Sequence, residues 1–125
     1  MWRAIVSVQA SIRLGTQSEP EPDLALLKPR DDFYAAALPT GNDALLVIEV
    51  ADSTVAYDLK VKARLYAKHG VPAYWVVDLD ARLLRCFASP QGETYAQASA
   101  TATAGTMAVP GLVDCSIDLA DLFRV

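Results

Sequence analysis

The sequence predicts an α/β (α+β) fold, and three observations carry that reading. Residues 45–78 run as an apolar strand, an amphipathic helix and a second apolar strand, the pattern of two strands joined by a helical crossover. Residues 83–88 and 93–102 are two further strand-length runs separated by the turn residue Gly92. The chain has 125 residues, enough for one substantial core, so residues 1–125 read as a single domain.

Apolar residues make up 53% of the chain, which excludes disorder as the ground state. No apolar run approaches the roughly 20 residues needed to cross a bilayer, so no membrane association is expected. The N-terminal MWRAIVSVQASIRL alternates polar with apolar residues, so it reads as a strand and not as a signal peptide. Cys86 and Cys115 are far apart and form no CxxC pair, which argues against a zinc site or a disulfide framework and fits a cytoplasmic protein. The net charge of −4 argues against indiscriminate binding to nucleic acid. A local basic face nevertheless survives at Lys60, Lys62, Arg64 and Lys68.

Taken in order, residues 4–14 predict a half-solvated strand, with Val6, Val8, Ala10, Ile12 and Leu14 on one face and Ser7, Gln9, Ser11 and Arg13 on the other. Residues 15–18 are turn chemistry. The prolines in Glu19-Pro20-Glu21-Pro22-Asp23 hold the chain extended up to a short strand at 23–27. Residues 28–42 predict a surface loop with a helical turn near 32–37. The continuous apolar run 44–50 predicts a central strand covered on both faces. Ser53 or Thr54 would cap the following helix, which runs to about His69 with Gly70 beyond its end. Strands at 73–79 and 83–88 are joined by a turn at Asp80-Ala81, and a weaker strand spans 93–102. The remainder predicts another turn and a short terminal helix near 119–123.

Candidate functional residues are those whose charge contradicts their surroundings. Glu49 lies inside an apolar strand. On a wheel of about 100° per residue, Val55, Leu59, Leu65 and Tyr66 form an apolar arc that also contains Asp58, Lys62 and His69, with Lys60, Arg64 and Lys68 opposite. Burying a charge costs several kcal/mol unless it is paired or binds a metal. Each residue has a plainer reading. Asp58 and Lys62 could be a surface i,i+4 pair worth roughly 0.3 kcal/mol, Glu49 a solvated strand end, and Asp23 a turn residue after Pro22. Together they make a different case. Carboxylates at the ends of neighbouring strands can hold a hard divalent cation, and a helix lysine can stabilise an oxyanion or orient a water. That set suits phosphodiester hydrolysis. His69 reads as a cap or packing residue, and Tyr66, Tyr74 and Trp75 as core or sheet-face aromatics. Glu19 and Glu21 read as exposed, Asp52 as stabilising the helix start, and Asp78 as the beginning of a turn.

Pro22-Asp23, Glu49-Val50-Ala51, Asp58 and Lys62 together resemble the PD-(D/E)xK superfamily of restriction-endonuclease-like nucleases. More closely, SEPEPDLALL, LLVIEVADSTVAYDLKVKARLYAKHGVPAYWVVD and the hairpin that follows resemble the large bacterial family of putative restriction endonucleases expanded in cyanobacteria. The resemblance covers nearly the whole chain. It implies a restriction-endonuclease-like mixed β-sheet with a flanking central helix, and an endonuclease that acts on DNA with magnesium or manganese. It further implies that Asp23, Glu49 and the backbone carbonyl of Ala51 ligate the metal. The superfamily's lysine falls at Ala51, where this chain has none. The closer family takes its lysine from the helix, where Lys62 matches, and Asp58 matches the acidic residue one turn earlier. Asp23, Glu49 and Lys62 should then share one small pocket. Family members usually carry a helical segment with a glutamate before the first strands, whereas here a strand pattern begins almost at Met1. That departure implies an under-covered sheet and a homodimer. It also defines an alternative: a catalytically impaired binding or assembly module that keeps the nuclease fold. A third reading is hydrolysis of another substrate, such as a glycoside, by the same carboxylates.

Overall fold

The computed structural model describes residues 4–52, 55–101, 105–112 and 115–118, except for the side chains of Val55 and Asp58. Six strands form one sheet in the order β1 (Ile5–Val8), β2 (Leu24–Leu27), β3 (Ala44–Ala51), β4 (Ala73–Asp78), β5 (Leu83–Gln91) and β6 (Thr94–Thr101). Neighbours are antiparallel except β3 and β4, which are parallel, so the sheet is mixed as expected. The parallel pair is joined by a helical segment made of α1 (Val55–Tyr57), a π-helical stretch (Asp58–Lys62) and α2 (Ala63–Lys68). A second, two-stranded sheet pairs β7 (Thr106–Ala108) with β8 (Ser116–Asp118).

The continuous apolar runs of β3 and β4 are explained by burial on both faces. On one face, Val47, Tyr74 and Val76 pack with Ala25, Leu27 and the helix residues Ala63 and Tyr66. On the other, Leu46, Ile48, Trp75, Val77, Leu84 and Cys86 pack with Met107 of β7 and Ile117 of β8. The helix presents Tyr57, Lys60, Val61, Arg64 and Lys68 to solvent, so its wheel is oriented as the sequence predicts. It ends at a paired hydrogen-bond motif: Gly70 (φ +78°) donates to the Ala67 carbonyl at 3.1 Å and Val71 to the Tyr66 carbonyl at 3.1 Å. Only a residue that tolerates left-handed backbone closes a helix this way without strain.

The first strand departs from expectation. It stops at Val8, because Gln9 adopts φ +48° and donates its N–H to the Asp23 carbonyl at 3.1 Å. That break inverts the alternation. Val6 and Val8 are 63% and 61% exposed, whereas Ile12 and Leu14 are fully buried on the helix-covered face. Each of the latter contributes about 2 kcal/mol of apolar burial, while the predicted continuous strand would have buried all five. The helical turn expected near 32–37 is replaced by hydrogen-bonded turns, since Phe33 and Tyr34 have φ of +52° and +63°. The cap at Ser53 or Thr54 and the terminal helix at 119–123 lie outside the described residues.

Candidate active site

Chain direction gathers polar side chains at one end of the sheet. β3 and β4 run parallel, so Glu49 and Asp78 approach their carboxyl ends; β2 and β5 run opposite, so Asp23 precedes β2 and Arg85 lies near the start of β5. The carboxyl ends of parallel strands are where open α/β sheets place their ligands. Register fixes the face. Leu24, the first residue of β2, pairs with Ile48, which brings Asp23 just before it to the level of Glu49, a residue on the side covered by the helix.

Glu49 is 4% exposed. Its Oε1 accepts from Lys62 Nζ at 2.7 Å and its Oε2 from the Tyr74 hydroxyl at 3.1 Å. Lys62 closes the π-helical stretch, a wide turn of a kind often found at functional sites. Tyr74 is fully buried, with ring centroids 4.9 Å from Tyr66 and 5.9 Å from Phe87, so aromatic packing fixes the direction of its hydroxyl. Asp23 is half-buried, and its Oδ2 accepts the backbone N–H of Val50 at 2.7 Å. This charge-assisted bond ties it to β3 beside Glu49. Lys62 and Tyr74 therefore meet on Glu49, and Asp23 is tied to the next residue of β3.

The Ala51 carbonyl lies at the same end and accepts the Leu79 N–H at 2.9 Å, which extends the β3–β4 ladder and commits one of its lone pairs. The backbone of Asp58 begins the π-helical stretch, and its side chain lies outside the described residues. His69 packs against Gly15, where an added Cβ would stand 2.9 Å from its Cε1, in keeping with a packing role. Glu19 pairs with Arg13 at 2.9 Å on the surface, and Glu21 is exposed.

Three further side chains at this end of the sheet are absent from the sequence-based set. Tyr74 reads as an ordinary strand aromatic. Asp78 reads as a turn residue, yet its side chain is 2% exposed and accepts from Arg85 Nε at 3.1 Å and from the Ala81 N–H at 3.0 Å. Arg85 alternates with the buried Leu84 and Cys86, so a cation on the helix-covered face was the available signal.

Among the described residues, no group of three His, Cys, Asp or Glu side chains gathers to hold a metal. The oxygen donors present are two carboxylates and the second lone pair of one carbonyl. That set is chemically suited to magnesium, which often takes one or two carboxylates and keeps its waters.

Residues 2–120 match the family model Uma2, described as "Putative restriction endonuclease". The fold is similar to that of a solved putative nuclease belonging to DUF820 from Anabaena variabilis, with a TM-score of 0.67 at 17% sequence identity. The match covers 96% of this chain and 68% of that one. No curated protein matches significantly.

Proposed function

Because the chain belongs to the Uma2 family of putative restriction endonucleases, we propose that it is a metal-dependent endonuclease that hydrolyses DNA phosphodiester bonds. The observation that carries the reading is the Lys62–Glu49 contact of 2.7 Å beside Asp23 at the carboxyl end of the sheet. Asp23 and Glu49 would hold magnesium or manganese, and Ala51 joins only through the lone pair that Leu79 leaves free. When bound, the cation supplies charge neutralisation at the phosphoryl group and a more acidic water. Lys62 faces the developing oxyanion or orients the attacking water. Tyr74 holds the second oxygen of Glu49 in place. Asp58 would position Lys62 or add acidity around it. The unpaired thiols of Cys86 and Cys115 suit the reducing cytoplasm in which such an enzyme would act.

The chain should nick duplex DNA at low ionic strength with magnesium or manganese, and EDTA should stop it. Glu49→Gln should abolish this by removing a metal-binding charge at nearly constant shape. Lys62→Ala should lower the rate at least about a hundredfold, the usual scale for a lost oxyanion partner. Equal activity of wild type and Glu49→Gln would expose a contaminating nuclease and sink the mechanism.

One observation favours a second reading, a binding or assembly module. Lys62 already neutralises Glu49, as a metal would. Titration calorimetry with magnesium and manganese separates the two, since a module of that kind shows no heat of binding.

A further inference from the structure

We propose that Arg85 contacts a phosphate of the nucleic-acid substrate, held in position for that contact by Asp78. This rests on the nuclease reading above. Arg85 pairs with Val76, and Val76 pairs with Glu49, so Arg85 stands two strands from Glu49 on the same face. Two strand spacings make about 10 Å between their backbones, which long side chains and one nucleotide easily span.

The guanidinium is anchored at one corner. Its Nε donates to Asp78 Oδ2 at 3.1 Å, and the other oxygen of Asp78 is fixed by the Ala81 N–H at 3.0 Å. Among the described residues no other hydrogen bond engages Arg85, so its two terminal amino groups are uncommitted. They form the planar fork that matches two oxygens of one phosphate. The side chain is 31% exposed while that of Asp78 is 2% exposed, so the anchor is buried and the arginine reaches the surface. Arg85 also lines an open groove of about 450 Å³ between Leu59 of the helix and the edge strand β6. Small residues, Ala98 and Ala100, line that groove beside it and let a backbone approach. An arginine present only to neutralise Asp78 would need neither the groove nor the free fork.

The test is binding of a fluorescein-labelled 20-base-pair duplex, followed by anisotropy in calcium across a salt series. Arg85→Gln keeps an N–H for Asp78 but removes the charge. It should weaken binding about tenfold and lower the slope of log K against log salt by about one, the signature of one lost phosphate contact. Arg85→Lys keeps the charge without the fork, and should keep the slope while losing a few-fold in affinity. Melting temperatures of both variants report whether the Asp78 anchor still folds. Should Arg85→Gln fail to fold, the lysine variant decides alone, since wild-type affinity there overturns the fork. Wild-type affinity and slope in Arg85→Gln would overturn this inference while leaving the nuclease reading intact. A wild-type chain that binds and never cleaves overturns the nuclease reading alone, and one with no affinity for DNA at any salt overturns both.

Discussion

Glu49 shows how one side chain couples stability to chemistry. A carboxylate 4% exposed is tolerable because partners such as Lys62 and Tyr74 reach it. Lys62→Ala removes the nearest charge and should destabilise the fold by about 3 kcal/mol, the scale measured for breaking buried pairs. A cation bound at Glu49 would restore part of that. Manganese should therefore raise the Tm of Lys62→Ala more than that of wild type; equal shifts by differential scanning fluorimetry would place the metal elsewhere. Cys86 offers an independent probe, since burial pushes its thiol up to about 11. The half-buried Cys115 should react first with a thiol reagent at pH 8, and Cys86 only on unfolding. The sign is that of a group favouring its protonated form when folded. Its contribution is complete below the ordinary thiol value of 9.0 and is lost as pH climbs towards 11. Mass spectrometry of labelled peptides distinguishes the two cysteines. Glu49 and Lys62 were legible in the sequence because a charge among apolar neighbours is anomalous on its own. Tyr74, Asp78 and Arg85 are ordinary one at a time, and only cross-strand register brings them to the same end of the sheet.

At the scale of elements, the β3–helix–β4 unit follows directly from apolar periodicity, and its strands begin where the sequence places them. The first strand does not, because strict alternation cannot reveal a residue that leaves extended geometry. One positive φ at Gln9 moves Ile12 and Leu14 to the opposite face from Val6 and Val8. The β7–β8 pair was equally hidden, since strands of three residues carry too little pattern to stand out. The helix end is tied down by a second device. Gly41 follows Thr40, whose N–H donates to Asp43 Oδ2 at 2.8 Å, and it packs so closely on the helix terminus that an added Cβ would collide with the carbonyl oxygen of His69. That atom is backbone at a closed helix end and cannot swing away. Gly41→Ala should therefore cost about 2 kcal/mol by overpacking and lower Tm by about 8 °C for a chain of this size. Unchanged melting in calorimetry would mean that the turn and the helix end separate freely.

For the whole molecule, coverage of the sheet by the described residues is uneven, and that asymmetry bears on assembly. The helix and the residues preceding β2 cover one face, while the β7–β8 pair packs on the other against the cluster of Leu46, Ile48, Trp75, Val77, Leu84 and Cys86. Towards β1 the second face is left with Val6 and Val8 mostly exposed, Leu24 and Leu26 half-buried, and Val50 36% exposed. These residues share a side because β1 pairs Val6 with Leu26 and Val8 with Leu24. A contiguous apolar stripe of this kind marks an interaction surface, and among the described strands β1 is an edge of the sheet, a position that favours pairing. We therefore propose that two copies meet here about a two-fold axis, each stripe covering the other. The net charge of −4 opposes close approach of two copies, so association should tighten as salt screens it. DNA binding through Arg85 should weaken over the same salt range, which separates the two surfaces experimentally. Sedimentation at about 50 μM, a concentration suited to micromolar interfaces, should give a dimer for wild type. Val6→Lys with Val8→Lys should give a monomer with little loss of Tm, because both side chains already face solvent within one copy. A wild-type chain that sediments only as monomer would remove the dimer, and the stripe would then require a partner of another kind.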